Sequence, residues 1–311
     1  MTGATASFGR RADVGDALAS VGGIVRSILA FVIVVLIIAV VWEAAKWIGG
    51  GIWREAFGIV LDPPHQPPLR ITQLNDTNLP HVWEIVGALF EPATRRSEFS
   101  LFAVLIDAAL FTWRGAAIGF VLGAAIGLAL AILFVHSRLL ERALVPYVIA
   151  SQTIPIIALA PMVVLWVGRD WPSVAIISAY LTFFPVTIAG IRGLKSPDPR
   201  ALELMRSYAA DWKSVLWKVR LPAALPYLFT ALKISATASI VGAIVAEAPT
   251  GIAGGLGRAI IQFNQQFTSG PEKLWATAFI CAAVGIAFFG LVRIAEMIVL
   301  RNRQREAEAE A

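Results

Sequence analysis

Six long runs of apolar residues, separated by polar, glycine-rich or proline-rich segments, set the pattern of this chain. They cover about residues 28–48, 112–135, 144–167, 173–191, 225–245 and 275–300. Each reaches the roughly 20 residues that a helix needs to cross a bilayer core. The expected fold class is an all-α membrane protein with about six transmembrane helices. A polar island at 196–222 and a long connector at 49–111 interrupt the apolar pattern.

Basic residues orient the spans. With the N-terminus and C-terminus both in the cytoplasm, inside segments carry fifteen Lys and Arg and outside segments nine. Arg10, Arg11 and Arg26 precede the first run, as in a secretory signal. That run is long, however, and no small-residue cleavage site follows it, so a retained span is expected over a cleaved one. The chain then divides into a cytoplasmic segment 1–27, a first span with a periplasmic connector 28–111, a core 112–300 and a cytoplasmic tail 301–311.

The connector contains the proline cluster 62–68, which no regular helix or central strand accommodates. Residues 81–90 and 98–110 read as short helices. In the second, Phe99, Phe102, Leu105, Ile106 and Ala109 recur at helical spacing. That pattern fits either an interfacial helix or one packed outside the membrane.

Within the spans, Gly115, Gly119, Gly123 and Gly127 stand four apart on one helical face, where they admit a close neighbour. The third run carries Pro146, Pro155 and Pro161 beside Ser151, Gln152 and Thr153. Lipid cannot satisfy the backbone groups that proline frees, so this helix should face protein or water. Gln152, Thr153 and Pro155, with Thr182 near Pro185 in the fourth run, are candidate path residues; a kinked structural helix is the alternative. Glu247, before a glycine-rich stretch, is either a gate carboxylate or a group bonded to the backbone of the loop that follows. Arg293 and Glu296 are three apart and able to pair along the sixth span.

Composition narrows the chemistry. The chain has 311 residues, 58% of them hydrophobic and 15% charged, with a net charge of +5. The basic residues lie between apolar runs, which points to membrane orientation and to no nucleic-acid partner. A single cysteine, Cys281, excludes an intrachain disulfide, and His65, His81 and His136 are scattered. No catalytic, metal or phosphate-loop motif is present: 249–257 lacks the Lys-Ser/Thr that a nucleotide loop requires. Neither an enzymatic activity nor a cofactor of its own is expected.

The island is the most specific segment. Asp198-Pro199 forms a helix start, with an N-cap and proline at the first helical position. Met205, Tyr208, Trp212, Val215, Leu216 and Val219 recur at three- and four-residue spacing. Asp211 is placed to cap a second short helix after a turn at Ala209-Ala210, and Leu221-Pro222 should end the element. An amphipathic helix-turn-helix of this kind suits a partner's groove or the inner leaflet.

This segment resembles the Glu-Ala-Ala loop of ABC-importer permeases. Glu203 stands at the glutamate, Leu204 and Met205 at the alanines, Ala209 at the glycine, Val219 at the hydrophobic position, and Leu221-Pro222 matches directly. The run from Ser151-Gln152-Thr153-Ile154-Pro155 to Gly168 is similar to the third-span signature of the nitrate/sulfonate/taurine-type permeases, as is Leu221 to Tyr227. The likeness spans about 110–300 and leaves out 49–99 and the tail after Arg305.

The resemblance implies a multi-pass permease subunit of the bacterial inner membrane. It implies a second copy or a paralogous permease, cytoplasmic ABC ATPase subunits that hold ATP and Mg, and a periplasmic substrate-binding protein. Glu203, Met205, Tyr208, Ala209, Trp212, Val219, Leu221 and Pro222 would form the ATPase-docking loop. The group's solutes are sulfonates, nitrate, bicarbonate and thiamine-related pyrimidines. The Ser-Gln-Thr-Ile-Pro and Ala-Glu-Ala-Pro-Thr-Gly sequences look most similar to the pyrimidine branch. An ion-coupled secondary carrier is the alternative, although the internal repeat expected of one is not visible.

Overall fold

A computed structural model describes residues 8–56, 59–94 and 97–309, with the backbone alone for 8–25, 27–28 and 301–309. Arg10, Arg11, Arg95, Arg96, Arg301, Arg303 and Arg305, counted above for orientation, therefore lie outside the described side chains. The chain separates into two compact units, 1–87 and 88–311.

The first unit is built on α1 (Phe8–Gly49). Its span, Leu29–Gly49, exposes almost every apolar side chain, as a lipid-facing helix does. Its C-terminal end is polar and closed. Lys46 is fully buried, 2.8 Å from Asp76, and donates to the Leu79 carbonyl. Glu43 accepts from the Val82 N–H at 2.7 Å and lies 2.7 Å from His81 Nδ1. The connector thus satisfies both charges at the head of the span. An antiparallel hairpin, β1 (Trp53–Ala56) and β2 (Ile59–His65), holds the first prolines of the cluster. In a two-stranded sheet both strands are edges, where a missing N–H is tolerated. His65 stacks on Trp47. The short helix α2 (Val82–Ala88) follows.

The second unit contains α3 (Leu101–His136), α4 (Arg138–Ser151), α5 (Ile156–Val167), α6 (Trp171–Leu194), α7 (Pro199–Ser207), α8 (Trp212–Val215), α9 (Leu221–Thr250), α10 (Leu256–Asn264) and α11 (Pro271–Ala309). With the span of α1, five helices are long and apolar enough to cross a membrane, and six crossings result when the bent pair α4–α5 counts as one. The protein is an all-α membrane protein.

Two expected boundaries are corrected. Residues 101–110 are not a separate short helix but the first turns of α3. The buried face Leu101, Leu105 and Ala109 runs on into Thr112 and Ala116 without a breaker. At 36 residues α3 is about 54 Å long, well beyond a hydrocarbon core of about 30 Å. The third run is not one helix over 144–167. It begins at Arg138 and bends by 97° between Ser151 and Ile156. Pro146 and Pro161 remain inside helices, and only Pro155, which heads α5, marks the break.

The glycine face of α3 sets the bundle. A Cβ on Gly119 would lie 2.3 Å from the Ala175 carbonyl oxygen, and one on Gly123 2.5 Å from that of Ala179. Gly115 meets Val174 and Gly127 meets Phe183, so the partner index rises with the α3 index and α3 and α6 run parallel. Parallel neighbours need a return crossing between them, which α4–α5 supplies. α9 runs antiparallel to α6: Ser178 donates to the Ser239 carbonyl at 3.0 Å, and Gly193 lies against Ala224. The C-terminal ends of α3 and α6 and the start of α9 therefore share one end of the bundle. α11 packs Phe288 edge-on against Trp113 and Phe120. Glu296 lies 2.8 Å from Lys233 of α9 rather than pairing with Arg293, because α9 brings a cation to the inner face of α11.

Candidate functional site

The residues expected to form a docking loop lie together at that shared end. Asp198 caps α7 by accepting from the Arg200 N–H at 2.8 Å. α7 ends in a tight turn. The Tyr208 N–H donates to Leu204, the Ala209 N–H to Arg206 and the Ala210 N–H to Met205. Ala209 adopts φ 51°, the sole non-glycine residue at positive φ among the described residues. It occupies the position where the resembling pattern has glycine, and that conformation explains the preference. Asp211 then caps α8, accepting from the Ser214 N–H at 3.1 Å. The Ser214 hydroxyl and N–H hold its carboxyl below the usual carboxylate range.

After α8 the chain does not stop at Leu221-Pro222. A wide π turn, Leu216–Arg220, feeds directly into α9. Pro222 sits at the head of α9, and Leu221 keeps helical angles because the wider turn carries the chain past the missing N–H. Arg220 donates to the Leu194 carbonyl at 2.9 Å, fastening the loop to the end of α6.

The expected apolar stripe divides. Leu216 is buried with Phe134, Leu194 and Ala224 in the core. Met205, Val215, Val219, Leu221 and Pro222 are half-buried, whereas Glu203 and Ala209 are exposed. Leu204, Tyr208, Trp212 and Trp217 are the large apolar side chains left open, 56–75% exposed. Trp212 packs edge-on against His136 at the end of α3. Leu204 and Trp217 belong to this open surface although the apolar stripe read from spacing left both out; at Trp217 the π turn shifts the helical phase.

The candidate path residues do not form one cluster. Gln152, Thr153 and Pro155 are exposed at the α4–α5 break, where Tyr180 of α6 donates to the Ser151 carbonyl. Thr182 is fully buried between α3 and α9, its hydroxyl donating to the Ser178 carbonyl at 2.9 Å. Glu247 is fully buried at the opposite end from the loop. Its Oε2 accepts from the Thr112 hydroxyl at 2.9 Å and from the Gly257 N–H at 3.0 Å, and Thr112 accepts from the Leu256 N–H at 2.9 Å. A Cβ on Gly255 would lie 2.3 Å from this carboxyl group, so the glycine stretch closes around it. Among the described residues no His, Cys, Asp and Glu group has metal-ligand geometry.

These features define a multi-pass helical membrane protein with an exposed aromatic surface on a capped loop between two spans. Residues 119–299 match the family of binding-protein-dependent transport system inner membrane components, and the chain belongs to that family. The chain is similar to the formylaminopyrimidine transport permease protein ThiX of Halalkalibacterium halodurans, 36% identical over 190 residues that cover 61% of this chain and 74% of that one. It is 30% identical to a probable ABC transporter permease protein of Haemophilus influenzae over 67% of this chain and 87% of that one. It is 35% identical to the putative aliphatic sulfonates transport permease protein SsuC of Bacillus subtilis over 60% of this chain and 67% of that one. A solved chain of the MetNI methionine ABC transporter aligns at 20% identity and a TM-score of 0.47, covering 62% of this chain and 95% of that one. The protein is thus a transmembrane permease subunit of a binding-protein-dependent importer, and members of this family are transport subunits rather than catalysts.

Proposed function

We propose that this chain, in the bacterial inner membrane with both termini in the cytoplasm, forms half of a translocation path and couples it to a cytoplasmic ABC ATPase. The observation that carries the coupling is the exposed surface of Leu204, Tyr208, Trp212 and Trp217. It is held on two capped helices and bolted to the span ends by Arg220 and Leu216. An apolar aromatic surface of this kind suits a partner's groove. Glu203, exposed beside it, supplies a charge for a basic partner residue. Closure of the ATPase pair on ATP and Mg would push α7 and α8, and the π turn would pass that motion into α9 without a hinge.

Gln152, Thr153 and Pro155 at the α4–α5 break are proposed as path-lining positions, since free backbone groups there need water or protein. Thr182 and Glu247, fully buried, are proposed to frame the path rather than touch solute. The second half of the path comes from another copy or a paralogous permease. A periplasmic binding protein delivers a small heteroaromatic solute of the pyrimidine type. The relative named for formylaminopyrimidine transport favours that class over the sulfonates named for another.

Uptake into native membrane vesicles loaded with ATP tests the solute class, with labelled formylaminopyrimidine and an aliphatic sulfonate offered in parallel. Uptake of the pyrimidine that survives collapse of ion gradients and stops on ATP depletion supports the reading. Preference for the sulfonate, or uptake driven by the gradients alone, overturns it.

A further inference from the structure

A basic cleft of about 430 Å³ opens where α4 leaves the end of α3, lined by Arg138, Glu141, Arg142, Val145, Pro146 and Lys195. Lys195 closes α6 and lies 2.6 Å from both carboxylate oxygens of Glu141, so these two charges offset each other. Arg138 and Arg142, one helical turn apart on α4, have no carboxylate partner among the described residues. The cleft therefore keeps a net charge of about two cations. Val145 and Pro146 supply its apolar lining, and α4 exposes Leu139, Leu144 and Tyr147 beside it. α4 is also the first half of a membrane crossing, which puts this charge at the boundary between the apolar bundle and the polar loops.

Two guanidinium groups above an apolar wall at that boundary match one kind of molecule: a phosphodiester headgroup with its acyl chains running down the helix. We propose that this cleft binds an anionic phospholipid of the phosphatidylglycerol type, with Arg138 and Arg142 on the phosphate and the acyl chains along Leu144 and Tyr147. Lys195 stands three residues before Asp198, so a bound headgroup would brace the root of the docking loop. An acidic segment of a protein partner would satisfy the two arginines but leave the exposed apolar wall uncovered, which favours the lipid.

The test is native mass spectrometry of the full chain in nanodiscs that mix phosphatidylglycerol and phosphatidylcholine. The wild type should retain phosphatidylglycerol selectively, and Arg138→Gln/Arg142→Gln should lower that preference on the order of 30-fold, about fivefold per cation. Glu141→Gln, which frees Lys195, should raise it. That gain keeps the test decisive if the double variant fails to fold. Equal retention of the two lipids, a preference unchanged in all variants, or displacement by millimolar inorganic phosphate at the same site would overturn the proposal. Protection of the cleft arginines from dicarbonyl modification by an added ATPase subunit, without any lipid preference, would overturn it in favour of a protein partner.

Discussion

Thr112→Val gives the most direct test of how the bundle is tied at the end opposite the loop. Valine keeps the shape of threonine and removes only the hydroxyl. The Thr112 hydroxyl donates to Glu247 at 2.9 Å and accepts from the Leu256 N–H at 2.9 Å. After the change the Leu256 N–H, on a fully buried residue, has lost its acceptor, and Glu247 Oε2 keeps only the Gly257 N–H. The Leu256 N–H left unpaired costs about 1–3 kcal/mol and the lost bond to Glu247 about 1 kcal/mol more, so the change should cost about 2–4 kcal/mol. In a domain of this size 1 kcal/mol shifts Tm by about 2–4 °C, which gives a fall on the order of 5–15 °C. Cys281, the single and half-buried cysteine, supplies the readout through a thiol-reactive fluorophore during heating in mild detergent. Thr112→Ser keeps the hydroxyl and should unfold within a few degrees of the wild type. Equal midpoints for the valine and serine variants would refute the reasoning.

Gly119→Val should prevent α3 and α6 from packing, since its Cβ would sit 2.3 Å from a backbone oxygen, whereas Gly285→Ala, with open space around it, should be neutral. Fluorescence-detected size exclusion of tagged protein separates the two outcomes. Ala209→Gly should steady the loop by up to about 1 kcal/mol, because a non-glycine residue at positive φ costs about 1–2 kcal/mol and glycine gives back part of that in chain entropy. Slower amide exchange at Ala210, whose N–H donates to Met205, would register it, and Ala209→Val should speed that exchange. The capping contribution of Asp211, whose folded pKa is lowered, is present above the ordinary value of 3.8 and lost as pH falls through the lower folded value. Amide protection at Trp212–Val215 should therefore hold down to about pH 4 in the wild type, after correction for intrinsic rates, and should be weakened at every pH in Asp211→Ala.

Particular residues show which features are legible from the chain alone. The four-residue spacing of Gly115 to Gly127 is a local property of one helix, and its close contact with α6 follows directly from it. Asp198 and Asp211 cap the helices that their positions announce, because capping depends only on neighbours two or three residues away. The π turn at Leu216–Arg220 has no such local signal. It rotates the side chains that follow it, and the burial of Leu216 at its start comes from Phe134 and Leu194, contacts that a 3.6-residue count does not contain. The start of α3 was obscured because its apolar face does not change character where the helix leaves the bilayer. Three prolines mark the third run, yet only Pro155 breaks it. The choice falls there because the preceding residues, Gln152 to Ile154, already form tight turns. The pairing of Lys46 with Asp76 joins residues thirty apart through a folded connector and leaves no trace in periodicity. Among the candidate path residues, polarity alone grouped Thr182 and Glu247 with Gln152, although Thr182 bonds back to Ser178 of its own helix and Glu247 to Thr112 and Gly257 of neighbouring helices.

The central claim is that the 196–222 loop docks an ATPase, and co-purification tests it most directly. Tagged chain is withdrawn from its native membrane in mild detergent, and the associated proteins are identified by mass spectrometry. Glu203→Lys and Trp212→Ala are carried alongside; both side chains are exposed, so neither change disturbs the core. The account predicts an ATP-hydrolysing subunit with the wild type, lost from Glu203→Lys and reduced at least tenfold with Trp212→Ala, while membrane levels stay equal. An ATPase recovered equally from all three would contradict the loop assignment. A wild-type chain that purifies without any ATPase, and still moves solute in vesicles lacking ATP, would contradict coupling altogether.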